Sequence, residues 1–300
     1  PQEMIVLALM DGLSQAAVLF LVALGMTLVF GVMNIVNMAH GSFYALGGYM
    51  AASLGLWASA HGASPAWSLL ILPLAAIIIG CVFGALMETT LMQRIYQKDP
   101  ILQLLITFSA FMIFEDLQRL IWGAQPYFVS EIVNYLGTVD VLGITYTRYQ
   151  LLLLPGIALA VFIALRSFLK LSSIGRQIVA VSHHREMSTA LGINVRRISL
   201  LTFVVSAVLG ALAGALASPT VSWVPGIGGE MIVLSFAVVA TAGLGQIEGA
   251  LVAALLIGLA RSFSVYLLPE IEVLVPFLIM VLVLLFRPQG LFSVAQARRV

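Results

Sequence analysis

Apolar residues run along this chain in long unbroken stretches parted by short polar connections. They follow neither the two-residue alternation of a half-buried strand nor the one-sided stripe of a surface helix. A bilayer core about 30 Å thick takes about 20 apolar residues at about 1.5 Å each. Against that length the chain predicts six clear spans, at residues 13–30, 42–58, 67–91, 101–122, 149–165 and 198–217. Three more follow at 231–242, 247–268 and 271–286. With 12 residues, the segment 231–242 reaches about 18 Å and fits either a short crossing or a re-entrant piece. The expected fold is all-α: a polytopic membrane helix bundle of eight to ten spans, nine by this reading, in one transmembrane domain over residues 1–300. The first apolar run lacks a basic leader and an A-x-A-like cleavage site, and is read as a retained helix.

Composition fixes the class. Hydrophobic side chains make up 61% and charged ones 9%, with a mean hydropathy of +1.10; soluble domains carry about 25% charged residues. Lys+Arg 14 against Asp+Glu 13 leaves a net charge of +1, which excludes the basic field of a nucleic-acid binder. The single cysteine, Cys81, excludes an internal disulfide framework and a thiolate-rich metal site. Segments of about ten alternating residues, the mark of an outer-membrane barrel, are missing. Eleven of the fourteen Lys and Arg fall in three groups: Arg94 and Lys98; Arg166, Lys170, Arg176, Arg185, Arg196 and Arg197; and Arg287, Arg298 and Arg299. Nine crossings put all three on one side, the cytoplasmic one by the positive-inside rule. Glu3, Asp11, Glu131, Asp140, Glu270 and Glu272 then face outward.

Two polar stretches interrupt the apolar pattern. The first holds Asn34, Asn37, His40, Gly41 and Ser42, with Tyr44 beyond. It reads either as a broken helix beside a solute path or as a short cytoplasmic turn, because non-helical backbone inside a membrane survives only in protein or beside water. On the first reading Asn34, Asn37, His40, Ser42 and Tyr44 form the substrate path. The second stretch contains Gly243, Gly245, Glu248 and Gly249. Gly-interrupted segments in the two halves of a transporter are the mark of a structural repeat. The third glycine comes one residue late for G-x-G-x-x-G, and no G-x-x-x-x-G-K-[ST] is present, so the sequence carries no nucleotide site of these types. Gly80 with Gly84, and Gly210 with Gly214, have the spacing of close helix contacts in lipid.

Charges inside spans are functional candidates by default. Glu115 and Asp116 stand one turn from Arg119 and are expected to neutralise it. Glu88 is expected at the cytoplasmic interface near Arg94, and Glu248 in the first turn of the helix after the second break. His183 and His184 lack a third ligand nearby, so no metal site is expected. Nothing resembles a catalytic triad or H-E-x-x-H, and the chain is read as a non-enzyme. The cytoplasmic loop at about 171–197 carries an amphipathic helix pattern over 175–194, with Ile178, Val181, Met187, Ala190 and Leu191 at helical spacing and Gly192 placed to end it. It either lies on the anionic inner leaflet or docks into a cytoplasmic partner.

Several of these segments resemble the branched-chain amino acid ABC transporter permeases of the LivH type. The likeness runs through GMTLVFGVMNIVNMAHGSFYALGGYMA (25–51), GRQIVAVSHHREMSTALGIN (175–194), TAGLGQIEGALVAALLIGLARS (241–262) and FRPQGLF (286–292). The form Asn37-x-Ala39-His40-Gly41-x-Phe43-Tyr44 favours LivH over its LivM-type partner, whereas Ser182, His183 and His184 depart from the small and acidic residues of the family loop. The resemblance implies a multi-pass permease of the bacterial inner membrane, paired with a LivM-like permease, two ABC ATPase subunits and a periplasmic solute-binding protein. It implies no cofactor in this chain, with ATP and Mg bound by the ATPases. Contact with them would fall on Gly175, Arg176, Val181, Arg185, Leu191 and Gly192. The implied solutes are leucine, isoleucine and valine, or relatives such as urea and amides. The rival reading from another class is an ion-coupled secondary transporter of a small polar solute.

Overall fold

The computed structural model describes residues 1–292. Arg298 and Arg299 lie outside the described residues. The chain is a helix bundle built around α1 (Gln2–Met33), whose middle third, from Leu19 to Leu24, is shielded on every side. α2 (His40–Ala60) follows, then α3 (Pro65–Ile95), α4 (Pro100–Trp122) and the short α5 (Glu131–Leu136). A hairpin, β1 (Thr138–Val141) and β2 (Ile144–Thr147), leads into α6 (Tyr149–Leu171). Two short helices, α7 (Ser173–His183) and α8 (Arg185–Ala190), precede α9 (Val195–Ala217), α10 (Ile227–Ala242), α11 (Ile247–Leu267) and α12 (Val275–Phe286).

Six of these helices, α1, α3, α4, α6, α9 and α11, are long and apolar enough to cross a membrane. α2 and the shorter α10 and α12 occupy the other three expected segments. α10 begins at Ile227, four residues ahead of its expected start, while α12 begins only at Val275 because a 3₁₀ turn occupies Pro269–Ile271. α3 is not a uniform helix: it widens into π turns at Gly80–Gly84 and Glu88–Met92. The hydroxyls of Thr89 and Thr90 bond back to the Ala85 and Leu86 carbonyls there, at 2.8 and 2.6 Å, which competes with the regular ladder. The hairpin, invisible to the span pattern, pairs Thr138 with Thr147 and Val141 with Ile144. Its two-residue turn has both Leu142 and Gly143 at positive φ, the type I′ geometry that matches strand twist.

Lipid tails supply no hydrophobic force between helices, so close approach through small residues does the packing. The expected glycine pairs are contacts of this kind. A Cβ on Gly80 would lie 2.3 Å from Val208 of α9 and one on Gly84 2.8 Å from Ala207. A Cβ on Gly214 would meet the Tyr44 carbonyl oxygen of α2 at 1.9 Å, and one on Gly47 the Ala211 carbonyl oxygen at 2.2 Å. α2 and α9 are thus locked backbone to backbone.

Candidate functional site

The chain after α1 does not turn at the membrane surface. Asn34 ends α1 at φ 54, its N–H bonding the Phe30 carbonyl at 2.9 Å. Residues 35–39 then run back along α1, so that the His40 ring nitrogen Nε2 donates to the Val22 carbonyl at 2.9 Å. Val22 lies about 16 Å up the helix from Met33, at 1.5 Å per residue. α2 therefore starts at the middle of the bundle, and of the two readings of this stretch the broken one describes the backbone. Space for it comes from Gly25 and Gly210, where a Cβ would come within 2.6 and 3.0 Å of the His40 ring.

A second re-entrant stretch, residues 218–226, lies between α9 and α10 rather than at Gly243–Gly249. Its anchor is the fully buried Trp223, which fills the space above Gly48 and pairs with Tyr127 through two backbone hydrogen bonds of 2.9 and 2.7 Å. α10 then begins where α2 begins: a Cβ on Gly41 would sit 2.3 Å from the Gly228 carbonyl oxygen, and one on Gly228 2.6 Å from that of Gly41. Gly243 and Gly245, at φ 103 and 84, form the turn between α10 and α11, where Gly245 lies against Gly31 near the end of α1. Left-handed backbone is what the glycines supply there. Glu248, in the first turn of α11, faces Arg166 at 3.8 Å with both half-exposed, and a Cβ on Gly249 would already touch Phe292 at 3.0 Å.

The core around the first break is polar and incompletely satisfied. Asn37 Oδ1 accepts from the Ala39 N–H at 3.0 Å, leaving Nδ2 without a partner. His40 Nδ1, Ser42 Oγ, Thr27 Oγ1 and Ser235 Oγ are likewise buried with no protein partner. Buried polar groups ordinarily find one. A cavity of about 320 Å³ descends to Tyr44 and Leu19 from the end of the bundle that carries Asp11 and Glu272, and a groove of about 460 Å³ rises to Thr27 from the end that carries Asn34 and His183. The His40 to Val22 hydrogen bond and a Ser206 hydroxyl bond to the Gly25 carbonyl, 2.7 Å, lie between them.

At the Asp11 end, the hydroxyls of Tyr146 and Tyr266 both donate to Asp11, tying the hairpin and α11 to α1. Burial and the Asp11 carboxylate push the Tyr146 phenol well above its usual range. Arg261 of α11 pairs with Glu272 at 3.4 Å on the wall of the cavity, a contact with no signature in the residue pattern. Glu115, Asp116 and Arg119 form no ion pair, the pairs among the described residues being Arg166 with Glu248 and Arg261 with Glu272. Arg119 lies in the last turn of α4, and all three side chains are at least partly exposed.

The opposite end gathers Arg94, Lys98, Arg166, Lys170, Arg176 and Arg185. The amphipathic pattern of 175–194 forms two helices, because His184 takes an extended conformation at φ −145 and ψ 81. Ile178 and Val181 are buried beneath α7, but Met187 is 60% and Leu191 76% exposed, so the second half of the apolar stripe is left largely uncovered by the described residues. Gly192 ends α8 at φ 87. Gly175 has a packing role, since a Cβ there would lie 1.9 Å from the Phe168 carbonyl oxygen.

Glu88, expected at the cytoplasmic interface, is enclosed by protein. It is fully buried in the second π turn of α3, accepts a hydrogen bond from the Tyr96 hydroxyl, and keeps its other oxygen unpartnered. The Arg185 guanidinium of α8 lies 5.7 Å from the centre of the Tyr96 ring. Replacing Tyr96 with Phe should therefore lower stability by about 1–3 kcal/mol by stranding the carboxylate. Tyr96→Phe combined with Glu88→Met should recover most of that loss, since removing both partners is close to neutral. Thermal melting in detergent distinguishes this from plain cavity formation, which the double variant would worsen.

An all-helical, multi-pass fold with two broken segments meeting at mid-bundle and cavities on either side defines a membrane transport protein. Residues 8–284 match the family described as branched-chain amino acid transport system, permease component, and the chain belongs to that family. It is 27% identical to the high-affinity branched-chain amino acid transport system permease protein LivH of Salmonella typhimurium, over 97% of this chain and 96% of that one. It is 28% identical to BraD of Pseudomonas aeruginosa, a permease protein of the same description, over 97% of each. The ribose import permease protein RbsC of Haemophilus influenzae is 26% identical over 83% of this chain and 75% of its own. Among solved structures, PsaBC from Streptococcus pneumoniae in complex with Fab shares the fold, with a TM-score of 0.51 and 15% identity over 93% of this chain and 91% of that one.

Proposed function

We propose that this protein is the membrane-embedded permease subunit of an ATP-driven importer of branched-chain amino acids in the bacterial inner membrane. In that assembly it pairs with a LivM-like permease, two ATPase subunits that bind ATP and Mg, and a periplasmic solute-binding protein. The observation that carries the reading is the family match over residues 8–284, which also sets aside ion coupling. The geometry supports it at both ends. The apolar stripe of Met187 and Leu191, exposed beside Arg176 and Arg185, has the form of a docking surface for a partner. The cavity and groove that approach His40 from opposite sides suit alternating access. Copurification of the chain with an ATPase, and labelled leucine uptake that needs ATP, test the assembly; uptake driven by an ion gradient alone would sink it.

The solute route on this reading passes Asn34, Asn37, His40, Ser42 and Tyr44, whose uncharged donors and acceptors suit a solute shedding its water. With Cys81 replaced by Ser, a cysteine at Asn37 or His40 is expected to react with a small water-soluble thiol reagent in at least one transport state. Protection in every state of the ATP cycle would return these residues to packing.

A further inference from the structure

A charged pair on the wall of a cavity marks a site or a brace. Arg261 and Glu272 come from α11 and from the connection to α12, meet at 3.4 Å, and keep about a third of each side chain exposed, to the cavity of about 320 Å³. The pair is not sealed, and the cavity wall below it is of two kinds. Gln15, whose Oε1 is buried without a partner, adds a polar atom. Val18, Leu19, Leu154 and Met231 supply an apolar floor. The carboxylate of Asp11 is engaged by two tyrosine hydroxyls, and Glu230 lines a separate pocket on the other side of Arg261 without forming an ion pair with it.

A guanidinium and a carboxylate side by side above an apolar floor are the complement of an α-amino acid with a branched aliphatic side chain. We infer that this cavity is a transit site for the zwitterion: Arg261 takes the solute carboxylate, Glu272 its ammonium, and the aliphatic side chain lies on Val18, Leu19 and Leu154. The assignment rests on the importer reading above and adds the contacts that recognise the solute. In the empty site the two charges satisfy each other, so an arriving zwitterion exchanges one ion pair for two rather than filling unmet charges. The site is accordingly weak, with Kd on the order of 1 mM, and tight recognition stays with the soluble binding protein.

The test uses the intact transport complex in proteoliposomes, with Cys81→Ser and a reporter cysteine at Val221, or at Thr220 as a second position should the first prevent assembly. Leucine at about 10 mM is expected to slow thiol modification about tenfold. Leucinamide, which lacks the carboxylate, and 4-methylpentanoate, which lacks the ammonium, should protect far less. Arg261→Gln and Glu272→Gln should each abolish protection by leucine, a readout that a purely bracing ion pair would not move. Equal protection by all three compounds, or protection unchanged in both variants, overturns the site. Labelled leucine uptake by the same proteoliposomes separates the two levels of inference: uptake without protection overturns the transit site alone, whereas no uptake of leucine fails the importer reading and the site with it.

Discussion

Gly214→Ala is expected to leave little folded protein. The added Cβ would stand 1.9 Å from the Tyr44 carbonyl oxygen and 3.0 Å from the Gly48 nitrogen. These are backbone atoms of a helix held on its other faces by Trp223 and by Gly41 against Gly228, so neither partner can give way. Overpacking of a rigid core costs about 1–3 kcal/mol and occasionally more; a contact this short belongs at or beyond the upper end. For a bundle of this size about 3 kcal/mol corresponds to a fall in Tm of about 6–12 °C. Gly156→Ala in α6 is the control, since a Cβ there meets nothing within 4 Å. Size-exclusion profiles and melting curves in detergent check the pair, and a Gly214→Ala protein as stable as Gly156→Ala would show that α2 and α9 are not locked as described.

The second large effect concerns α7. Val181 is buried in the last turns of that helix. A proline there removes a backbone donor and clashes with the carbonyl four residues earlier, at a cost of about 3 kcal/mol. Because α7 lies outside the spans, Val181→Pro should still insert and run as a monodisperse bundle. On the proposed reading it should lose the seat of the docking surface, with solute uptake and solute-stimulated ATP hydrolysis falling at least about fivefold. Normal uptake in this variant would remove α7 and α8 from the coupling path. Unchanged uptake alongside lost insertion is not an accessible result, so the two measurements together decide.

How much was legible without coordinates differs by feature. The long apolar helices follow from apolar run length, because the bilayer sets a minimum length for a span; their ends do not, as the starts of α10 and α12 show. The glycine contacts at 80, 84, 210 and 214 follow from spacing, because small residues one turn apart are what lets helices touch in lipid. The break at Asn34 to Ser42 was visible as polarity where no charge could hold it in water. Its depth was not, since the same residues would serve a surface turn. The re-entrant stretch 218–226 carries no polar signal of comparable strength, whereas Gly243–Gly249 does, and its glycines only shape a turn. Burial of Glu88 was hidden because Tyr96, eight residues later, reaches back to it past a π turn that changes which residues share a face.

The order of apolar and polar residues thus determined the class and the long apolar helices, because these depend on local composition against a slab of fixed thickness. Which side chains meet was decided by the tertiary structure alone. Gly41 against Gly228, Arg261 against Glu272 and Arg185 over Tyr96 join helices far apart in the chain, and the contacts depend on helix tilt, rotation and backbone approach. None of those quantities is written in any single stretch of sequence.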